Sequence, residues 1–220
     1  MFYGFEDFLN YTLYFPELEV EDGFAMIGGT PLPAAIREAA TDSELTLFKV
    51  LKKVSLEIFD ALYILHSHGW FHGDIRPYNI VLDENGDAKL IDFVTADVFV
   101  DKKRFYFSQG HFDNFFSTQL IQINNQDHVY LPRWEYESLV YSILFCALSL
   151  SSINDAFGSI ESRQIFLENS QYSPKSILRF CWKFFSLVQG LEDRRPDEEF
   201  RTAVISELGS FEFSPSTPEE

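Results

Sequence analysis

Positive charge is scarce in this sequence: 17 Lys and Arg stand against 34 Asp and Glu in 220 residues, a formal charge of −17. A chain that acidic repels phosphate backbones and anionic headgroups, which argues against nucleic acid or a membrane surface as a general partner. Cysteine is scarce too. Cys146 and Cys181 are the only two, both in apolar or aromatic surroundings, so buried reduced thiols are expected rather than a disulfide framework. Long hydrophobic runs are missing. The longest, LVYSILFCALSL over 139–150, falls short of the ~20 residues a membrane span needs and reads as a buried core helix. The first residues show no basic-then-apolar leader pattern, so an intracellular chain, cytoplasmic or nuclear, is expected.

What the chain does have is apolar and aromatic mass. Hydrophobic residues make up 46% and aromatics 17%, with 24 Phe, enough for a sizeable core rich in ring packing. Strand-like ELEV (Glu17 to Val20) and FAMIG (Phe24 to Gly28) flank Glu21-Asp22-Gly23 and suggest an Asp-Gly hairpin. A breaker, Gly28-Gly29-Thr30-Pro31, precedes a short helical stretch, Ala34 to Ala40. Thr41 and Glu44 then fit a capping box. Leu47, Leu51, Val54, Ile58, Leu62 and Leu65 form one helical stripe that Gly69 closes. Asn79 to Leu82 and Ala88 to Phe93 read as strands joined through Asn85-Gly86. Residues 94–133 form a long polar-aromatic connection, of a length that is commonly functional. Helices are expected near 135–150, 160–168 and 174–190, and a disordered tail over 211–220.

One segment concentrates polar chemistry, HSHGWFHGDIRPYNIVL over 66–82, with Leu90-Ile91-Asp92-Phe93 across the hairpin. Asp74 and Asn79, five positions apart on one loop, converge on one polar site, and Asp92 returns to it. Two carboxylates and an amide oxygen are hard ligands of the kind Mg²⁺ takes beside phosphates.

These residues resemble the catalytic loop and metal motif of the eukaryotic protein kinases. His72-Gly73-Asp74 through Asn79 stands where that family has His-Arg-Asp-x-x-x-x-Asn, and Asp92-Phe93-Val94 stands for Asp-Phe-Gly. Glu135-Tyr136-Glu137-Ser138-Leu139 is similar to the start of the buried C-lobe helix, with a casein-kinase-like or fungal flavour, and Arg195-Pro196 to a pair late in that lobe. The resemblance spans about residues 15 to 200. It implies an α+β, mainly α fold: a kinase C-lobe with a short hairpin remnant of the N-lobe. The implied division is hairpin and hinge over 1–30, C-lobe over 31–208 and acidic tail over 209–220.

By the same resemblance, Asp74 accepts a substrate hydroxyl proton and Arg76 places a cation near the transferred phosphate. Asn79 and Asp92 hold Mg²⁺ and the ATP phosphates, and Val81 floors the adenine pocket. His72 and Phe93 join an internal apolar spine. The implied cofactor is Mg-ATP, and the implied partner a protein substrate or protein ligand.

Departures from the pattern cut against turnover. No Lys or Arg precedes Arg37, the first lysine is Lys49, and no Gly-x-Gly-x-x-Gly occurs. The loop and strand lysine that grip ATP in the family are therefore not matched, and weak or absent nucleotide binding is expected. Gly73 replaces the arginine that binds an activation-loop phosphate, and Val94 replaces a flexible glycine. Gln119 stands where a glutamate would pair with Arg195, and Glu135 where an aspartate is usual. The expectation is a degenerate kinase-like module with a binding or regulatory role. Two readings stay beside it: a competent shortened Ser/Thr kinase, favoured by Asp74, Asn79 and Asp92, and a small-molecule phosphotransferase of the aminoglycoside or choline kinase type.

Overall fold

In the computed structural model, the described residues are 29–98, 103–104, 115, 127–148, 156–157, 159–192 and 194–215. The expected hairpin over 17–28 and the Phe116 to Gln119 stretch lie outside them. A short strand, β1 (Thr30–Pro31), leads into α1 (Leu32–Asp42) and α2 (Glu44–Ser67). Then come β2 (Trp70–Phe71), β3 (Ile80–Leu82), β4 (Ala88–Leu90), β5 (Asp97–Val98), β6 (Lys103–Arg104) and β7 (Asp127–His128). The remaining helices are α3 (Pro132–Ala147), α4 (Ile160–Asn169), α5 (Ser176–Gln189) and α6 (Glu198–Gly209). This mainly helical order is that of the expected C-lobe.

The stripe on α2 faces inward as its spacing requires: Leu51, Val54, Ile58, Leu62 and Leu65 are buried, joined by Phe48 and Phe59. Each such side chain contributes about 1.5–3 kcal/mol by leaving water. The cap differs from the sequence expectation. Ser43 Oγ accepts the Thr46 amide at 3.0 Å, while Thr41 ends α1 and donates to Glu38 O at 2.7 Å. The backbone turns at Ser43, so Ser43 is the residue free to cap α2. Gly69 follows the helix end with φ +82°.

Helix α3 is buried on every side from Pro132 to Leu144, with Arg133, Glu135 and Glu137 among its buried residues; its apolar part, from Leu139, is the buried core helix that the run predicts. It packs between α2 and α5, with Tyr136 5.0 Å from Phe59 and Tyr141 6.3 Å from Phe185, ring centre to ring centre. Helix α6 was not legible in the apolar pattern. Asp197 Oδ1 caps it through the Phe200 amide at 2.8 Å, and Arg201 ties it to Asp60 of α2 at 2.5 Å.

The β3–β4 hairpin pairs Ile80 with Leu90 and Leu82 with Ala88. Gly86 takes φ +74° in its turn, and Asp83 Oδ1 accepts the Asn85 and Asp87 amides, both at 2.9 Å. Strand β4 stops at Leu90, short of the expected Phe93, because Phe93 belongs to a tight turn with Val94 and Thr95. Helix α2 holds the hairpin: Lys53 Nζ reaches Gly86 O and Asp87 Oδ1, both at 2.7 Å, and Glu57 accepts the Ala88 amide at 2.7 Å. Strand β1 adds to the other edge, Pro31 opposite Val81.

The tail expectation is corrected over its first residues. Phe211 and Phe213 pack on Phe48 at 6.1 and 5.6 Å between ring centres, and Phe211 lies edge-on to Phe180 at 5.6 Å. Lys52 Nζ holds Gly209 O at 2.6 Å and Phe211 O at 2.8 Å. Two aromatic anchors per short segment outweigh the chain entropy that Ser-Pro composition alone suggests.

Candidate active site

The loop between β2 and β3 is folded around its own polar side chains. Asn79, 4% exposed, donates from Nδ2 to Asp74 O and to Asp74 Oδ2, both at 2.8 Å. Arg76 Nε lies 3.0 Å from the same Oδ2. The expected set Asp74, Arg76 and Asn79 is thus brought together within one turn of chain. A tight turn over Pro77–Asn79 makes this possible, since proline presets φ where the loop bends.

His72 joins this loop to the hairpin. Its Nδ1 accepts the Asp74 amide at 3.2 Å, and its Nε2 lies 2.9 Å from Ile91 O. That pairing requires the neutral ring with the proton on Nε2. Burial pushes the His72 pKa below its ordinary value, against the opposing pull of Glu135 and other carboxylates. Ile91 in turn donates its amide to Asn79 O at 2.9 Å. Both backbone groups of Ile91 are therefore fixed by the loop, and Asp92 is the next residue. Asp92 takes a left-handed conformation, φ 64° and ψ 68°, which costs a non-glycine residue about 1 kcal/mol. Phe93 rests edge-on to His72 at 4.6 Å.

Beneath the loop lies Glu135, 1% exposed. It accepts the His72 amide at 2.9 Å, the Gly73 amide at 2.5 Å and His66 Nε2 at 2.8 Å. Burial pushes its carboxyl pKa up, but the His66 bond and charge, with His72 and the Gly73 amide, outweigh this and hold it below the ordinary value. The extra methylene relative to aspartate does not loosen the loop. His66, fully buried, was not singled out from sequence. The signal was its place on the stripe, four residues after Leu62, where a polar residue needs a buried partner.

Gly73 has φ +84°, and a Cβ there would stand 2.7 Å from Thr95 O. Thr95 Oγ1 donates to His72 O at 2.9 Å. The glycine in the family's arginine position is thus required by the local backbone. Val81 is 5% exposed, and a Cβ on Gly29 would come within 3.2 Å of its Cβ.

The donor chemistry of Asn79 and Asp92 fits the Mg²⁺ that the resemblance implies. With Nδ2 committed to Asp74, Asn79 keeps Oδ1 as a hard donor, and the Asp92 carboxylate caps no backbone amide. Among the described residues no three His, Cys, Asp or Glu gather around one metal position. Two protein oxygens suit Mg²⁺, which retains waters and phosphate oxygens, better than Zn²⁺ or Ca²⁺.

Loop, hairpin and left-handed Asp92, set on a buried central helix, define a protein kinase C-lobe. The chain belongs to the protein kinase domain family, whose model matches residues 26–182. It is 45% identical over 56 residues to human dual specificity mitogen-activated protein kinase kinase 7, covering 25% of this chain and 13% of that one. To the Arabidopsis thaliana serine/threonine-protein kinase GRIK2 it is 32% identical over 88 residues, 40% of this chain and 19% of the relative. To the alpha subunit of CTD kinase from Schizosaccharomyces pombe it is 49% identical over 46 residues, 21% and 8% of the two chains. The chain thus spans less than a fifth of each of these relatives. The family uses Mg-ATP and acts on proteins. Among the described residues no helix is long and apolar enough to cross a membrane.

Proposed function

We propose that this chain is a kinase-fold module with little phosphotransfer of its own, which works by binding and regulating a protein partner. The supporting observation is where its lysines go. Lys52 is spent on Gly209 O and Phe211 O, Lys53 on Asp87, Lys89 on Asp83 and Lys183 on Glu207. None of these four serves the Asp74–Asp92 side of the hairpin. Removing one preorganised donor from a reacting phosphoryl group costs about 10²–10³ in rate.

Were nucleotide to bind, Asn79 and Asp92 would hold its Mg²⁺, which neutralises phosphate charge. Asp74 Oδ would take the proton of an incoming hydroxyl, and Arg76 would steady that carboxylate. The knot of Asn79 and Arg76 on Asp74 favours a second reading, a competent Ser/Thr kinase, because it holds the Asp74 carboxylate in one orientation.

Thermal unfolding with and without Mg-ATP separates the two. A site filled at 100 times its Kd adds about 2.7 kcal/mol, so the module reading expects a Tm unmoved by millimolar Mg-ATP. A rise that disappears in Asp92→Asn would overturn it. Phosphate transfer to a protein substrate, lost in Asp74→Asn, would establish the second reading.

A further inference from the structure

Beyond the kinase site, the C-terminal segment forms a built strap whose Ser-Pro pair no catalytic role uses. Phe211 and Phe213 seat it against Phe48, and Lys52 clamps its carbonyls. Ser176, fully buried at the start of α5, finishes the job. Its Oγ accepts the Ser214 amide at 2.7 Å and donates to the Ser214 carbonyl. Arg179 Nη2 reaches the same Oγ at 3.0 Å, while Nη1 holds Ser173 O and Pro174 O at 2.7 Å each. Ser214 and Pro215 are exposed, and the Ser214 hydroxyl enters none of these bonds.

We propose that Ser214 is a phosphorylation site for a proline-directed protein kinase, and that Arg179 receives the phosphate and fastens the strap. The Pro215 ring removes an amide and fixes φ directly after the acceptor serine, the feature such an enzyme selects. In the transfer, the Ser214 Oγ–P bond forms and the bond from Pγ of ATP to its bridging oxygen breaks. ADP leaves, and the hydroxyl proton passes to the modifying enzyme's base. The product adds about −1.5 to −2 charge and three strong acceptors. Arg179 stands no more than two hydrogen bonds from the Ser214 amide, and Lys175 directly precedes Ser176. Lys175 and Arg179 thus put two cations, four residues apart, beside the strap of a chain of net charge −17. Among the described residues of the strap, Glu212 is the carboxylate that opposes the phosphate. A guanidinium meeting a phosphate forms charge-assisted bonds about twice as strong as neutral ones.

The test treats the full chain with a proline-directed kinase and Mg-ATP, maps the phosphate by mass spectrometry, and follows ³¹P shift against pH. The expected result is phosphate on Ser214, with a second pKa below the ordinary value of about 6 and a Tm raised by a few degrees. In Arg179→Gln the pKa returns to the ordinary value and the Tm gain vanishes. Arg179→Lys, which keeps the charge, retains part of both and guards against a folding defect. Phosphate on Thr217 alone, or an identical ³¹P titration in the wild type and Arg179→Gln, overturns the proposal.

Discussion

The carbonyl oxygen of Thr95 lies 2.7 Å from where a Cβ on Gly73 would stand. The loop bearing Asp74 and the turn after Asp92 are nested this closely, and the Thr95 hydroxyl bond to His72 O closes the contact. Gly73→Ala therefore combines two penalties, a left-handed alanine and a displaced turn. Gly69 has a similar φ, +82°, with nothing within 4 Å of its Cβ position, so Gly69→Ala bears the first penalty alone. Urea unfolding should show a loss of about 1 kcal/mol at Gly69 and about 2–3 kcal/mol at Gly73. Equal losses would mean that the turn yields freely.

The acid limb of stability should be set by His72 and Glu135. The His72 pKa is depressed, so its contribution is complete above the unfolded value, 6.5, and declines as pH falls below it. The Glu135 pKa is depressed too. Its contribution is present above the unfolded value, 4.5, and lost as pH falls through the folded one. Tm measured from pH 8 down to about 2 should fall in two stages. Glu135→Gln should remove the lower stage and cost about 3 kcal/mol at pH 7, because His66 and two amides lose their charged acceptor.

Cys146 and Cys181 should resist thiol reagents in the folded protein. Burial pushes both thiols up to about 12, so little thiolate exists at pH 8. Labelling by a disulfide reagent should be slow in buffer and complete within minutes in denaturant. Fast labelling of the fully buried Cys181 in buffer would contradict its burial, while the half-buried Cys146 should react the sooner of the two.

Ser43→Ala should destabilise by about 1 kcal/mol through the lost cap of α2, measured by chemical denaturation. Thr41→Ala, at the end of α1, should lie within about 0.5 kcal/mol of the wild type. The reverse order would restore Thr41 as the cap.

Spacing carried most of what the sequence revealed. The stripe from Leu47 to Leu65, the Asn85-Gly86 turn and the run from Leu139 to Leu150 each obey a local rule, and each element formed over its described residues, with Leu47 half-buried at the stripe's start. The set Asp74, Arg76 and Asn79 was legible because five positions on one loop hold them together. What escaped depends on contacts between distant residues. Helix α6 needs Asp60 and Asp197 for its attachment and start. His66 has meaning only beside Glu135, 69 positions away. The strap over Phe48 looked like a tail because its anchors lie on helices far back in the chain.

Asn79 holds both the main chain and the side chain of Asp74, so the pair is a structural rivet whether or not a phosphate ever passes. The pair is architecture first, and turnover must be sought in the groups that would face the nucleotide from above.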